Sequence, residues 1–187
     1  MPDQLPMPTL AKGQWYPRNA LWLLLAVLAI VLDQWTKGLA TTHLQFAQPV
    51  AVIPGILNWT LLHNTGAAFS FLSDAGGWQR WLFSGLAGVV SLVMSIWLLR
   101  LPKGSAVLAA ALALVLGGAL GNLYDRVTLG YVVDFIHVYW QNHHFPAFNI
   151  ADSAITLGTI LLILDTFFLE KRRVNAAIAA QNSARHS

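Results

Sequence analysis

The sequence predicts an all-α integral membrane protein, with four transmembrane helices and a small β-hairpin on the outer face. Three observations predict it. The 187-residue chain is 56% hydrophobic and only 10% charged, with a mean hydropathy of +0.57. Ordinary soluble domains are about 25% charged, and a chain this small has too much surface to forgo charge in water. Four stretches reach the roughly 20 apolar residues that a spanning helix needs. Lys and Arg sit at the ends of those stretches rather than in a patch, as membrane topology requires. A soluble enzyme, a disordered tail and a nucleic-acid-binding protein are therefore poor readings, and a net charge of +3 does not argue for nucleic acid.

The first span runs from about Ala20 to Leu39, the second from Trp78 to Leu99, the third from Ser105 to Tyr124 and the fourth from Phe148 to Leu169. All belong to one domain over residues 1–187. Leu21 to Leu32 has the length of a signal-peptide core, but Asp33, Gln34 and Trp35 follow where small cleavage-site residues belong. An uncleaved first helix is the better reading. Lys12 and Arg18 precede the first span, Arg100 and Lys103 occupy the turn between the second and third, and Lys171, Arg172, Arg173 and Arg185 follow the fourth. The positive-inside rule puts these regions, and both termini, in the cytoplasm. The Leu/Ala-rich run from Ala106 to Leu120 reads as a segment that dissolves in lipid, with Gly117, Gly118 and Gly121 permitting close helix approach. The tails, Met1 to Gly13 and Asn175 to Ser187, read as loosely ordered ends.

Two outer loops remain, over residues 40–77 and 125–147. In the first, β-branched and aromatic residues flank Pro54-Gly55 between Val50 and Leu61, the pattern of a hairpin. In the second, Asp134 interrupts the apolar run Val132-Val133-Asp134-Phe135-Ile136.

Ionisable residues within spans are costly, roughly 2.5–3.5 kcal/mol each at the centre, and mark function by default. Cysteine is absent, so thiolate nucleophiles, thiolate metal sites and disulfides are excluded. The single glutamate, Glu170, adjoins a basic run, so carboxylate chemistry must use aspartate. Asp33 and Lys37 share a helix face, either as a plain ion pair or as a device that orients a site. Asn122, Asp125 and Arg126 form one polar face at the outer end of the third span. Asp152 opens the fourth, where the helix dipole favours an acid. Asp165 pairs with the basic cluster after it. Asp134 and Asp152 are 18 positions apart, about 27 Å on one straight helix. The breaker-rich stretch from Asn142 to Pro146 lets the chain fold back, so the two can meet as a proton-sharing dyad. Spacing allows Asp125 with Asp152 equally.

In order, the chain carries Asp33-Gln34-x-x-Lys37, Asn64-Thr65-Gly66-Ala67-Ala68-Phe69, Gly121-Asn122-Leu123-Tyr124-Asp125-Arg126, Val132-Val133-Asp134-Phe135 and Phe148-Asn149-Ile150-Ala151-Asp152-Ser153. On four spans with both ends inside, this set resembles the bacterial lipoprotein signal peptidase (signal peptidase II) family over roughly Ala20 to Leu169. The resemblance implies an intramembrane aspartic endopeptidase that cleaves prolipoproteins before a diacylglyceryl-modified cysteine. It implies Asp134 and Asp152 as the catalytic dyad. It implies Asp33, Lys37, Asn64, Gly66, Asn122, Asp125, Arg126, Asn149 and Ala151 as substrate-binding or support residues. The Val50–Leu61 region would match the family's outer β-cradle. No metal or cofactor is implied. The expected partners are diacylglyceryl prolipoproteins and membrane lipid, without nucleic acid, for a monomer in the bacterial inner membrane with its site toward the periplasmic leaflet. Asn64, Asn122 and Asn149 can hydrogen-bond an extended peptide, and Arg126 can face a headgroup, a carbonyl or Asp125. A non-enzymatic scaffold leaves the polar clusters unexplained, and a proton-coupled transporter would place them near the midplane.

Overall fold

The computed structural model describes residues 15–66 and 77–185. Four helices among them are long and apolar enough to cross a membrane: Pro17–His43, Trp78–Leu99, Ala106–Thr128 and Ile150–Asn175. The first begins as a 3-10 turn, Pro17–Trp22, and continues as α1, Leu23–His43. Then come β1 (Val50–Ile53), β2 (Leu57–Asn64), α2 (Trp78–Leu99) and α3 (Ala106–Thr128). They are followed by β3 (Val132–Trp140), β4 (His143–His144) and α4 (Ile150–Leu164). A π-helical turn at Asp165–Leu169 carries α4 into α5, Glu170–Arg185.

α3 is the hub, packed on α1, α2 and α4. Here the structure corrects the sequence reading. The Leu/Ala-rich run faces protein rather than lipid, and Ala109, Ala111, Leu112 and Ala113 are at most 2% exposed. Small side chains are what three neighbouring helices require of a central one. A Cβ on Gly117 would come within 2.7 Å of the Ala26 carbonyl oxygen of α1, and one on Gly118 would overlap the Ala151 carbonyl of α4. Lipid is met instead by large apolar residues on the outer helices, including Leu24, Leu28 and Val31 of α1, Leu82, Leu86 and Val89 of α2, and Leu157 and Ile160 of α4.

The sheet is larger than a hairpin. Its four strands run antiparallel in the order β1-β2-β3-β4. Pro54-Gly55 makes the β1–β2 turn: Gly55 has φ +82°, and the Ile56 amide donates to the Ile53 carbonyl at 3.0 Å. That arrangement places Gly where a type II turn needs positive φ. The loop between the third and fourth spans supplies β3, which pairs Leu62 with Asp134, His63 with Val133 and Asn64 with Val132. A register shift separates these pairs from Trp59–Ile136. Leu61, Val133 and Phe135 bury against Ala40 at the C-terminal end of α1, fixing the sheet on the bundle.

Several boundaries also move, the first span running on to His43. α3 reaches Thr128, four residues past Tyr124, so Asn122, Asp125 and Arg126 lie in its last two turns. α4 starts at Ile150 with Asn149 as N-cap. The C-terminal tail is helical to Arg185 because its Ala-rich sequence holds neither Gly nor Pro. Asp165 does pair with the basic cluster, through a two-pronged contact with Arg173 at 2.5 and 2.6 Å. Met1 to Gly13 and the Ala67-Ala68-Phe69 part of the second motif lie outside the described residues.

Candidate active site

The site forms where five elements converge: the C-terminal half of α1, the end of β2, the C-terminal end of α3, the start of β3 and the N-terminus of α4. Asn149 organises it. As N-cap of α4 its side-chain oxygen accepts from the Asp152 amide at 2.9 Å, and the Asp152 carboxylate accepts from the Asn149 amide at 3.3 Å. This reciprocal capping box satisfies two amides that a helix start leaves open. The Asn149 side-chain amide then reaches outward, donating to Asp134 Oδ1 at 2.7 Å and approaching the Val133 carbonyl and Asn122 Oδ1 at 3.2 Å each. One fully buried residue therefore holds both aspartates.

Each carboxylate has a second donor. Asn122 Nδ2 donates to Asp152 Oδ1 at 2.7 Å, and Asn64 Nδ2 donates to Asp134 Oδ2 at 3.1 Å. Asn64 is steadied in turn by the Gly66 amide, which donates to its side-chain oxygen at 2.9 Å. Gly66 sits at φ +104°, and a Cβ there would strike the Phe83 ring at 2.7 Å. Both facts demand glycine. The amides that the sequence offered to a peptide backbone are thus engaged with the two carboxylates.

Asp134 is 3% exposed. Burial, and after it the neighbouring charge of Asp152, push its pKa from 3.8 up to about 7, against the opposing hydrogen bonds from Asn64 and Asn149. The two carboxyl groups are thus near enough for the charge of one to oppose ionisation of the other.

Beneath them lies a buried ion network. Lys37 Nζ contacts Asp33 Oδ2 at 2.7 Å, Asp125 Oδ2 at 2.8 Å and Asn122 Oδ1 at 2.9 Å. Three acceptors match the three protons of an ammonium. Asp33 Oδ1 accepts from the Ala151 amide at 2.8 Å, and Asp125 Oδ2 accepts from the Val133 amide at 3.1 Å. The network so ties α1 to α4 and α3 to β3, directly under Asp152 and Asp134. Asp125, which spacing left open as a partner for Asp152, is occupied by Lys37, Val133 and Gln34. Gln34, the second residue of the first motif, joins the network although its sequence position alone did not mark it. Its amide bridges Asp33 Oδ2 at 3.2 Å and Asp125 Oδ1 at 2.9 Å. The signal was available, since an uncharged polar residue inside a span also needs partners.

Arg126 forms no salt bridge among the described residues. It touches its own helix at the Asn122 carbonyl, 3.4 Å away, and lies 5.5 Å from the Phe83 ring centre. Its charge is nonetheless within electrostatic reach of Asp152, Asp134 and Asp125. Every site residue inferred from the sequence therefore belongs to this one region. A groove of about 520 Å³ beside α4 is lined by Phe145, Phe148, Leu157 and Ile160 and reaches Asp152.

Removing the Asn64 amide is expected to move a pH profile in a defined direction. Its hydrogen bond favours the ionised form of Asp134. Asn64→Ala should therefore raise the pKa of Asp134 above about 7 and carry the alkaline limb of kcat/KM upward with it. A profile that stays in place or moves down would mean that Asp134 does not set that limb.

Residues 25–168 match the family Signal peptidase (SPase) II. The lipoprotein signal peptidase of Acinetobacter baylyi is 70% identical over 164 residues, covering 88% of this chain and 91% of the relative. That of Pseudomonas aeruginosa is 60% identical over 151 residues, covering 80% and 89%. A solved bacterial membrane enzyme, determined by the in meso method at 1.9 Å, superposes with a TM-score of 0.69 at 32% identity, covering 84% of this chain and 98% of that one. Four apolar helices, a polar site at one end of the bundle and these likenesses agree: the chain belongs to the signal peptidase II family of membrane peptidases.

Proposed function

We propose that the chain is an aspartic endopeptidase that removes signal peptides from prolipoproteins by cleaving before the diacylglyceryl-modified cysteine. The observation that carries this reading is the joint suspension of Asp134 and Asp152 from Asn149. The two carboxyls share one proton. The ionised one takes a proton from water, which attacks the scissile carbonyl, while the protonated one donates to the carbonyl oxygen and stabilises the tetrahedral intermediate. On collapse the first carboxyl passes its proton to the leaving amine as the C–N bond breaks, and the second recovers a proton from the intermediate's hydroxyl, so the dyad again holds one proton. Asn64, Asn122 and Asn149 hold both groups in register, and the Lys37 network fixes the helices that carry them. No cofactor takes part, and a single copy of the chain supplies every group in this mechanism.

The groove beside Asp152 supports a lipid-anchored substrate. It opens on the face of α4 that meets acyl chains, so a diacylglyceryl cysteine held in the leaflet presents its scissile bond at the depth of the carboxylates. Each buried methylene contributes about 0.8 kcal/mol to that anchoring. The diacylglyceryl precursor should therefore be cut at least about 100-fold faster than the unlipidated one in the same mixed micelles. Equal rates would remove lipid depth as the basis of selection.

The orientation follows from the Lys and Arg distribution. Both termini face the cytoplasm, and the carboxylates face the periplasmic leaflet of the inner membrane. The chain lacks cysteine, so single cysteines report sidedness without background. An impermeant maleimide should label Gln141→Cys in intact spheroplasts and Ala180→Cys only after lysis. The reverse pattern would invert the topology.

A further inference from the structure

At the end of α3 opposite the carboxylates, a crevice of about 110 Å³ opens where the α2–α3 turn meets the 3-10 turn that leads into α1. Arg18 and Lys103 stand on its rim, exposed, with no salt bridge among the described residues. No carboxylate lines it. The N-terminus of the 23-residue α3 opens into it, with backbone amides that the helix cannot pair internally. Two nearby carbonyls that would repel an anion, those of Leu98 and Leu101, are engaged by the Asn19 side-chain amide at 3.1 and 2.8 Å.

Ser105 is the telling residue. It occupies the N-cap of α3, where a serine hydroxyl normally accepts from an amide of the first turn. Here it makes no cap bond, nor any other side-chain hydrogen bond among the described residues, although the residue is 95% buried, being 5% exposed. It lines the crevice. An unpartnered hydroxyl on a buried residue, beside open helix amides and two cations that lack a carboxylate partner, Arg18 lying 4.9 Å from the Tyr16 ring centre, is a set of donors awaiting an acceptor.

We propose that this crevice binds the phosphate of an anionic phospholipid headgroup. Depth selects the lipid over phosphate from solution. α3 rises about 30 Å from Ala106 to Asp125, so the crevice lies at the membrane interface away from the active site. Trp22 lines it, and Arg100 rests 5.3 Å from the Trp15 ring centre beside it, which places aromatic side chains at headgroup level. Arg18 and Lys103 reach the phosphate oxygens from the rim, while the Ser105 hydroxyl and the first amides of α3 donate from the floor. Basic pockets between spanning helices are suited to lipid headgroups, with each cation adding about a factor of five.

Native mass spectrometry of the full chain, released from micelles doped with phosphatidylglycerol or phosphatidylcholine, tests this. Wild type should retain one phosphatidylglycerol and discriminate against phosphatidylcholine. Arg18→Gln/Lys103→Gln should lower that retention at least tenfold, whereas Lys171→Gln/Arg172→Gln should leave it within twofold. Equal loss in both double variants would reduce the effect to bulk charge and overturn the site. Ser105→Asp separates binding from folding. An N-cap aspartate supports the helix, so the melting temperature should hold or rise while phosphatidylglycerol is lost through repulsion. Undiminished retention by Ser105→Asp would refute the proposal. Inorganic phosphate at millimolar concentration should not displace the lipid; displacement would identify free phosphate as the ligand and overturn the lipid assignment.

Discussion

Asp134→Asn and Asp152→Asn should each lower cleavage of a lipidated precursor by at least about 1,000-fold while the protein remains folded in the membrane. The magnitude follows from the role. General acid and base catalysis contributes about 10²–10⁴, and an amide in place of either carboxyl ends both functions, because the dyad works only while one proton is shared. Folding should respond differently. The pKa of Asp134 is raised from 3.8 to about 7, so protonation favours the folded state. That stabilisation is fully present below about pH 4 and is lost as pH rises through about 7. Above that pH the native chain carries a buried charge it disfavours, which asparagine does not have. Against this stands one mismatch, since Asn64 and Asn149 both donate to Asp134 and an amide nitrogen cannot accept. Such a mismatch costs about 1–3 kcal/mol. The two effects oppose, so Asp134→Asn should melt close to wild type at pH 8. Cleavage and thermal melting on the same preparation separate chemistry from folding. More than a tenth of wild-type activity in either variant would reject the dyad.

What the sequence made legible was whatever is local or compositional. Span number followed from hydropathy. The Asp33–Lys37 pair followed from spacing on one helix, and Asp152 as an acid at a helix start followed from position. Strand β3 was hidden because one face packs on the bundle and the other pairs into the site. Val132-Val133 and Phe135-Ile136 are therefore apolar without alternation, and the period of two is lost. The second carboxylate on Lys37 was invisible for another reason: Asp125 is 88 positions away, and only packing of α3 on α1 brings it near. The burial of α3 was missed because alanine and leucine serve lipid and helix interfaces alike. The role of Asn149 as the joint between Asp134 and Asp152 needed the fold of β3 before it could be seen.

Lys37→Met should destabilise the protein more than any change at the dyad. Methionine keeps much of the length and volume but leaves Asp33 and Asp125, 0% and 1% exposed, with no cation between them. Removing one partner of a buried ion pair costs about 3–5 kcal/mol, which for a chain of this size corresponds to a loss of about 6–20 °C in melting temperature. The damage should reach the chemistry as well. Asp33 holds the Ala151 amide in the first turn of α4, and Asp125 holds the Val133 amide beside Asp134. When these two carboxylates repel each other, the segments that carry Asp134 and Asp152 lose their anchors. The remaining folded fraction should therefore show a reduced kcat rather than only a raised KM. Lys37→Arg should not rescue fully, because a planar guanidinium cannot meet three acceptors arranged around a compact ammonium. Neutralising the partners should help more. In Lys37→Met/Asp33→Asn/Asp125→Asn no buried charge is left unpaired, and the melting temperature should recover at least half of the loss. A Lys37→Met variant that melts within about 2 °C of wild type would show that the network is hydrated rather than sealed, and would remove it as the support beneath the two aspartates.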